Sequence, residues 1–242
     1  MKTWIYAKRN LKELLSDSLS LIFMIGLPAF LLVFMVLLNK NLPFNEAFNP
    51  ENFVPSTIIF SFSFLTMFSA SLIAKDRGSN FLSRMFVSPL KAHNYILGYT
   101  IPILILAVIQ SIILYSVGFA VGLPFNVNVI ISLPFLIIVA LLFVSLGLLF
   151  GSILIDKQVG PIVSILVQVV AFLSGMWFSL DLIGGAFKVI GYILPFVHSV
   201  NLIKYVLVGD YHLLLVPMLV ISGYIIALML LAIFLFKKNM KN

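Results

Sequence analysis

Six apolar stretches, each long enough to cross a lipid bilayer, run through this chain: Leu19 to Leu38, Val54 to Ala74, Leu97 to Val121, Val129 to Ile155, Val159 to Leu180 and Leu213 to Phe236. Each reaches the roughly 20 residues that a helix needs to span the ~30 Å hydrocarbon layer. A water-soluble domain of this size does not tolerate 62% hydrophobic and 10% charged residues or a mean hydropathy of +1.18. Lipid offers no hydrogen-bond partners, so each span must be a helix or part of a closed barrel. Barrel strands alternate apolar and polar residues, whereas IPILILAVIQSIILYSVGFAV is apolar on every side. The expected fold is an all-α integral membrane protein, one domain over 1–242 with transmembrane helices at 19–38, 54–74, 97–121, 129–155, 159–180 and 213–236. The first run is a full span with no small-residue cleavage site after it, so it is expected to stay as a helix rather than leave as a signal peptide.

The basic residues set the orientation. Lys2, Lys8, Arg9 and Lys12 precede the first span, and Lys75, Arg77, Arg84 and Lys91 lie between the second and third. Lys157 separates the fourth and fifth, and Lys237, Lys238 and Lys241 end the chain. Only Lys40, Lys188 and Lys204 of the 15 basic residues fall on the other side. Both termini are therefore expected in the cytoplasm of a multi-pass cell-membrane protein. The net charge of +7 follows from this topology, and nucleic-acid binding is not needed to explain it. Without cysteine the chain has no disulfide, thiolate metal site or thiol catalysis.

Three segments outside the spans carry patterns of their own. In 1–18, Trp4, Ala7, Leu11, Leu14 and Leu15 share an arc of about 100° on a helical wheel while Lys2, Lys8, Arg9, Lys12 and Glu13 take the rest, which describes an amphipathic helix lying on the membrane surface. It is either a topological anchor or an elbow that touches a partner protein. In 75–96, Phe81, Leu82, Met85, Phe86 and Val87 recur at helical spacing beside basic residues until Pro89 stops the helix. That segment is either a charged topological stop or a docking surface. The stretch 181–210 is too apolar for an ordinary loop yet is broken by Gly184, Gly185, Gly191 and Pro195, with Lys188 between them. It reads as a re-entrant helical hairpin on the outer side, since such breaks at membrane depth need protein or a wet cavity around them.

The spans contain no Asp, Glu, Lys, Arg or His; Gln110 and Gln168 are their most polar side chains. That argues against proton- or ion-coupled carriers and charged-ring channels, which place ionisable groups at membrane depth. His93, His198 and His212 have no metal spacing, no serine sits in a nucleophile elbow, and no phosphate-binding loop is present. Transport driven by ATP would need a separate polypeptide to hydrolyse it.

The order of parts resembles the membrane subunit of type-2 ATP-binding-cassette (ABC) exporters over nearly the whole chain. Two local matches add to it. The family's second cytoplasmic loop is acidic-Arg-Gly-small, then a leucine-rich turn, a Pro, and a Gly opening the third span; Asp76, Arg77, Gly78, Ser79, Phe81, Leu82, Pro89 and Gly98 fill those places. Asp76 stands where Glu is commoner, and Tyr99 where a Lys often follows the glycine. The second match is FLSGMWF, Phe172 to Phe178, with Pro195 in the hairpin beyond it.

The resemblance implies an elbow helix at 1–18 and an ATPase-coupling segment at 75–96 built on Asp76, Arg77, Gly78, Phe81, Leu82, Arg84, Met85, Phe86 and Pro89. It implies an outer gate at Ser174, Gly175, Trp177, Phe178 and Pro195. Gln110 and Gln168 are the candidate polar points of an otherwise apolar substrate path. No cofactor is expected on this chain, because ATP would be used by an ABC ATPase subunit. The other expected partners are a second permease subunit, identical or related, and membrane lipid. The expected cargo is a drug, antimicrobial or lipid-like amphipathic molecule. A sodium or small-ion exporter of the same family, and a non-transporting scaffold or immunity factor, are the alternatives. Richness in Lys, Asn, Ile and Phe suggests a bacterium with an AT-rich genome.

Overall fold

The computed structural model describes residues 2–41, 46–79 and 92–239. Among them the structure is helical without strands. Helix α1 (Lys2–Ser16) is followed by α2 (Ser18–Asn41), α3 (Pro50–Gly78), α4 (Ala92–Val121), α5 (Val127–Ile153) and α6 (Asp156–Leu173). After these come three shorter helices, α7 (Leu180–Ile183), α8 (Gly185–Ile193) and α9 (Pro195–Val208), and then α10 (Leu215–Asn239). Six of them, α2 to α6 and α10, are long and apolar enough to cross a membrane. The protein is an all-α integral membrane protein.

Helix α3 is the axis of the bundle, with α2, α4, α5, α6 and α9 all packed against it. Twenty of its 29 residues are buried, and they include Ser56, Thr57, Ser61, Ser63, Thr66 and Ser69. Small hydroxyl residues let neighbouring helix backbones approach closely. Ser61 and Ser63 donate to the carbonyls of Ile58 and Phe60, both at 2.6 Å, and Thr66 reaches across to the Phe143 carbonyl of α5 at 2.9 Å. Gly147 and Gly151 bring α5 close against α3. A Cβ at Gly147 would stand 2.4 Å from Ser69 Cβ, and one at Gly151 2.8 Å from Ile73 Cβ.

The outer faces of the bundle are apolar. Ile22, Phe30 and Phe34 of α2 and Leu219, Ile226, Leu230 and Phe234 of α10 are exposed, a surface that only lipid or another protein can cover. Helix α10 packs on α5 and α9, away from the α3 axis.

The stretch between α6 and α10 is bent. Helices α8 and α9 meet at 75°, where Leu194 is extended and Pro195 opens α9. A proline at the first helical position suits this corner, because its missing N–H would have had no intrahelical partner. The two ends of α9 sit at different levels of α5. Phe196 stacks on Phe143, ring centroids 6.0 Å apart, while the Leu207 carbonyl accepts from Asn128 Nδ2 at 3.1 Å.

Candidate functional site

At the end of the bundle where α1 lies, side chains from α1, α3 and α4 converge on one carboxylate. Asp76 is 2% exposed. Arg9 donates to it with both terminal nitrogens, Nη1 to Oδ2 at 2.8 Å and Nη2 to Oδ1 at 2.7 Å. The Tyr6 and Tyr99 hydroxyls donate to the same Oδ2 at 3.1 and 2.9 Å. Such fork-to-fork pairing fixes orientation as well as distance. The Arg9 guanidinium also bridges to Glu13 at 3.0 Å on its own helix, and the hydrogen bond to Asp76 holds Arg9 above its ordinary pKa. Burial pushes the Tyr6 hydroxyl up as well, so it remains a donor.

The packing of α1 on α4 explains why these groups meet. The buried face of α1 is Tyr6, Ala7, Asn10 and Leu14, while Trp4, Ile5 and Leu15 stay exposed. Tyr6 lies on Gly98, where a Cβ would come within 2.2 Å of the ring, and Tyr99 meets it edge-on at 5.3 Å. Asn10 is wholly buried for a backbone reason. Pro102 has no N–H, so the Gly98 carbonyl four residues earlier loses its helical donor, and Asn10 Nδ2 supplies one at 3.0 Å. Thr3 adds a hydrogen bond to Asn94 at 2.9 Å.

Arg77, next in sequence, turns to α5. It donates to the carbonyls of Ser152, Ile153 and Leu154, with Leu154 at 2.7 Å. Those carbonyls belong to a helix C-terminus, where unpaired C=O groups favour a cation. Two successive residues at the end of α3 thus bind two different neighbours. Gly78 has open space around it. Phe81, Leu82, Arg84, Met85, Phe86 and Pro89 lie outside the described residues.

The other candidate residues are distributed over three places. Gln110 is wholly buried between α2 and α3, donating to the Met24 carbonyl at 2.9 Å and the Ser61 carbonyl at 3.2 Å. Met24 is four residues before Pro28, so Gln110 repeats on α2 what Asn10 does on α4. Gln168 instead faces a groove of about 540 Å³ between α2, α3 and α6, lined by Phe23, Leu27, Phe60, Phe64 and Trp177 among others. The two glutamines are not brought together.

At the far end from α1, Trp177 packs edge-on against Phe48 and Phe53 at 6.1 and 6.3 Å. Gly175 has φ of +78°, a left-handed conformation that glycine adopts without strain. That turn leaves Ser174 fully buried and directs the chain toward α7. Phe178 touches Phe172 and Phe187. Pro195, at the bend, is buried.

The resemblance drawn from the sequence is matched independently. The chain belongs to the ABC-2 type transporter family, whose family model covers residues 1–208. The protein is accordingly a multi-pass membrane permease component of an ABC transporter, and this domain is not itself the catalytic one. Comparison with curated proteins gives no match.

Proposed function

We propose that the chain is one of two transmembrane subunits of an ABC exporter in a bacterial cell membrane, with both termini in the cytoplasm and a separate ATPase subunit supplying the energy. The observation that carries this reading is the Arg9–Asp76 junction. It ties α1, α3 and α4 together at Asp76, at the start of the 75–96 segment that the family resemblance implies for ATPase coupling. In this reading α1 is the elbow helix, its Trp4, Ile5 and Leu15 side lying in the membrane interface. ATP binding by the partner displaces the coupling segment, and the α1–α3–α4 junction moves with it as one body. Arg77 passes the displacement to α5.

The α2–α3–α6 groove provides an apolar surface with Gln168 and Ser164 as its polar points. A second subunit facing this groove would convert it into an enclosed path, suited to an amphipathic molecule. The α7–α9 region, with the Gly175 turn, closes the path on the outer side. Nucleotide drives transport only through contacts that differ between the two states.

The test is a mild-detergent purification from the native membrane, with the eluate assayed for ATP hydrolysis. Residues 80–90 are replaced by a neutral linker in a parallel sample, leaving Asp76 and Arg77 in place. Co-elution of an ATPase that the linker variant loses is expected. A protein that elutes without any ATPase under several detergents contradicts the proposal.

A further inference from the structure

A second cavity, of about 280 Å³, lies between the turn after α6 and one face of α9, at the far end from α1. The α9 contribution is a helical stripe, Val197, Val200, Asn201 and Lys204, in which positions three, four and seven apart share a face. Ser174 and Gly175 line the opposite side.

Among the described residues, two polar groups here have no hydrogen-bond partner. Ser174 is 0% exposed, yet its Oγ makes no hydrogen bond. Lys204 is half-buried and, among the described residues, makes no hydrogen bond or ion pair. The buried serine hydroxyl costs free energy unless something completes it, and the Lys204 ammonium beside the same cavity is available to an anionic partner. An ammonium offers three donors and no acceptor, and a serine hydroxyl a further donor, so a group with several negatively charged acceptor oxygens would complete both.

Two carboxylates, Glu46 and Asp181, also line the cavity, and they restrict what fits. Asp181 is already engaged, by Lys188 at 2.7 Å and by the Tyr192 hydroxyl at 3.2 Å. Glu46 is exposed and makes no ion pair with Lys204 among the described residues, and its charge opposes every anion, a highly charged one most strongly. The cavity therefore suits one compact anionic group with several oxygens rather than a polyanion.

We propose that this cavity binds a single phosphate group, held by the Lys204 ammonium and the Ser174 hydroxyl, either as the headgroup of a phospholipid or as a free phosphate. The site is distinct from the α2–α3–α6 groove and does not depend on the ATPase reading. Binding would draw α9 and the Gly175 turn together.

The experiment titrates the purified protein in a non-ionic detergent with two probes, short-chain phosphatidylglycerol and inorganic phosphate, and follows the thermal unfolding midpoint. Acetylation of Lys204 is read by mass spectrometry on the same samples. Saturable stabilisation and protection of Lys204 are expected. Lys204→Gln should weaken binding about tenfold or more, as loss of a charge-assisted hydrogen bond does, Lys204→Arg should retain it, and Ser174→Ala should weaken it less. An effect of the lipid alone assigns the phosphate to a headgroup; an equal effect of inorganic phosphate assigns it to a soluble source. No stabilisation by either probe, Lys204 acetylated equally with and without them, or undiminished binding by Lys204→Gln overturns the proposal.

Discussion

Arg9 and Asp76, 67 residues apart in sequence, meet fork to fork at 2.7 and 2.8 Å, and two tyrosine hydroxyls complete the carboxylate. Removing one partner of such a junction leaves the other without its counter-charge. Because Asp76 is buried and Arg9 is half-exposed, the larger penalty should follow loss of Arg9. Arg9→Ala should lower stability by about 2 kcal/mol or more, and Asp76→Asn by less. The double substitution should cost less than the sum, measured as unfolding midpoints in detergent and treated as a double-mutant cycle.

Gln110 serves the carbonyl that Pro28 frees. Gln110→Leu should cost about 1 kcal/mol by leaving Met24 C=O without that donor. Pro28→Ala restores the helical N–H, so Gln110→Leu should cost less in that background, the remainder being the bond to the Ser61 carbonyl. Fully additive losses in the double variant would show that the Met24 carbonyl is not what Gln110 serves.

Gly98 is the seat of the Tyr6 ring. Gly98→Ala forces the ring or α1 to shift and should destabilise by about 1–3 kcal/mol, read from faster protease cleavage within α1. Tyr6→Val should relieve most of that clash while forfeiting the hydroxyl's bond to Asp76.

Gly147 and Gly151 bring α5 against α3 so closely that added carbon meets Ser69, Ile73 and the Thr66 and Ala70 carbonyls. Gly147→Val should therefore destabilise the whole protein by about 1–3 kcal/mol or more, whereas Gly160→Val, at a glycine with open space around it, should be far milder by this clash criterion.

The spans were legible because lipid imposes one rule on every residue of a helix, and composition carries that rule. The family pattern was equally legible, and Asp76 and Gly98 both lie in the junction. What the sequence hid was pairing. Asp76 and Tyr99 were visible as two separate departures from the family's usual residues, yet they touch at 2.9 Å. The wheel of α1 grouped Trp4 and Leu15 with Ala7 and Leu14, while the buried face takes Tyr6 and Asn10 instead. Hydrophobicity cannot rank Asn10 as buried, because its partner is a carbonyl freed by Pro102 on another helix. Pro28 and Pro102 stand in the sequence for anyone to see, but the amides that answer them lie on other helices, a pairing that spacing does not reveal. The spacing of Gly147 and Gly151 was a signal available in the sequence, since small residues four apart mark close helix contacts.

The central claim is that α1, α3 and α4 move as one body when the ATPase acts. The chain has no cysteine, so a pair placed at Thr3 and Asn94, hydrogen-bonded across α1 and α4, reports on the junction without background. The measurement is the rate of cross-linking of that pair by a short bis-maleimide in the ATPase-bound complex, without nucleotide and again in the ATP-trapped state. Equal rates in the two states are expected. A rate that collapses in either state would mean that α1 parts from α4 during the cycle, and would contradict the junction as the unit of motion.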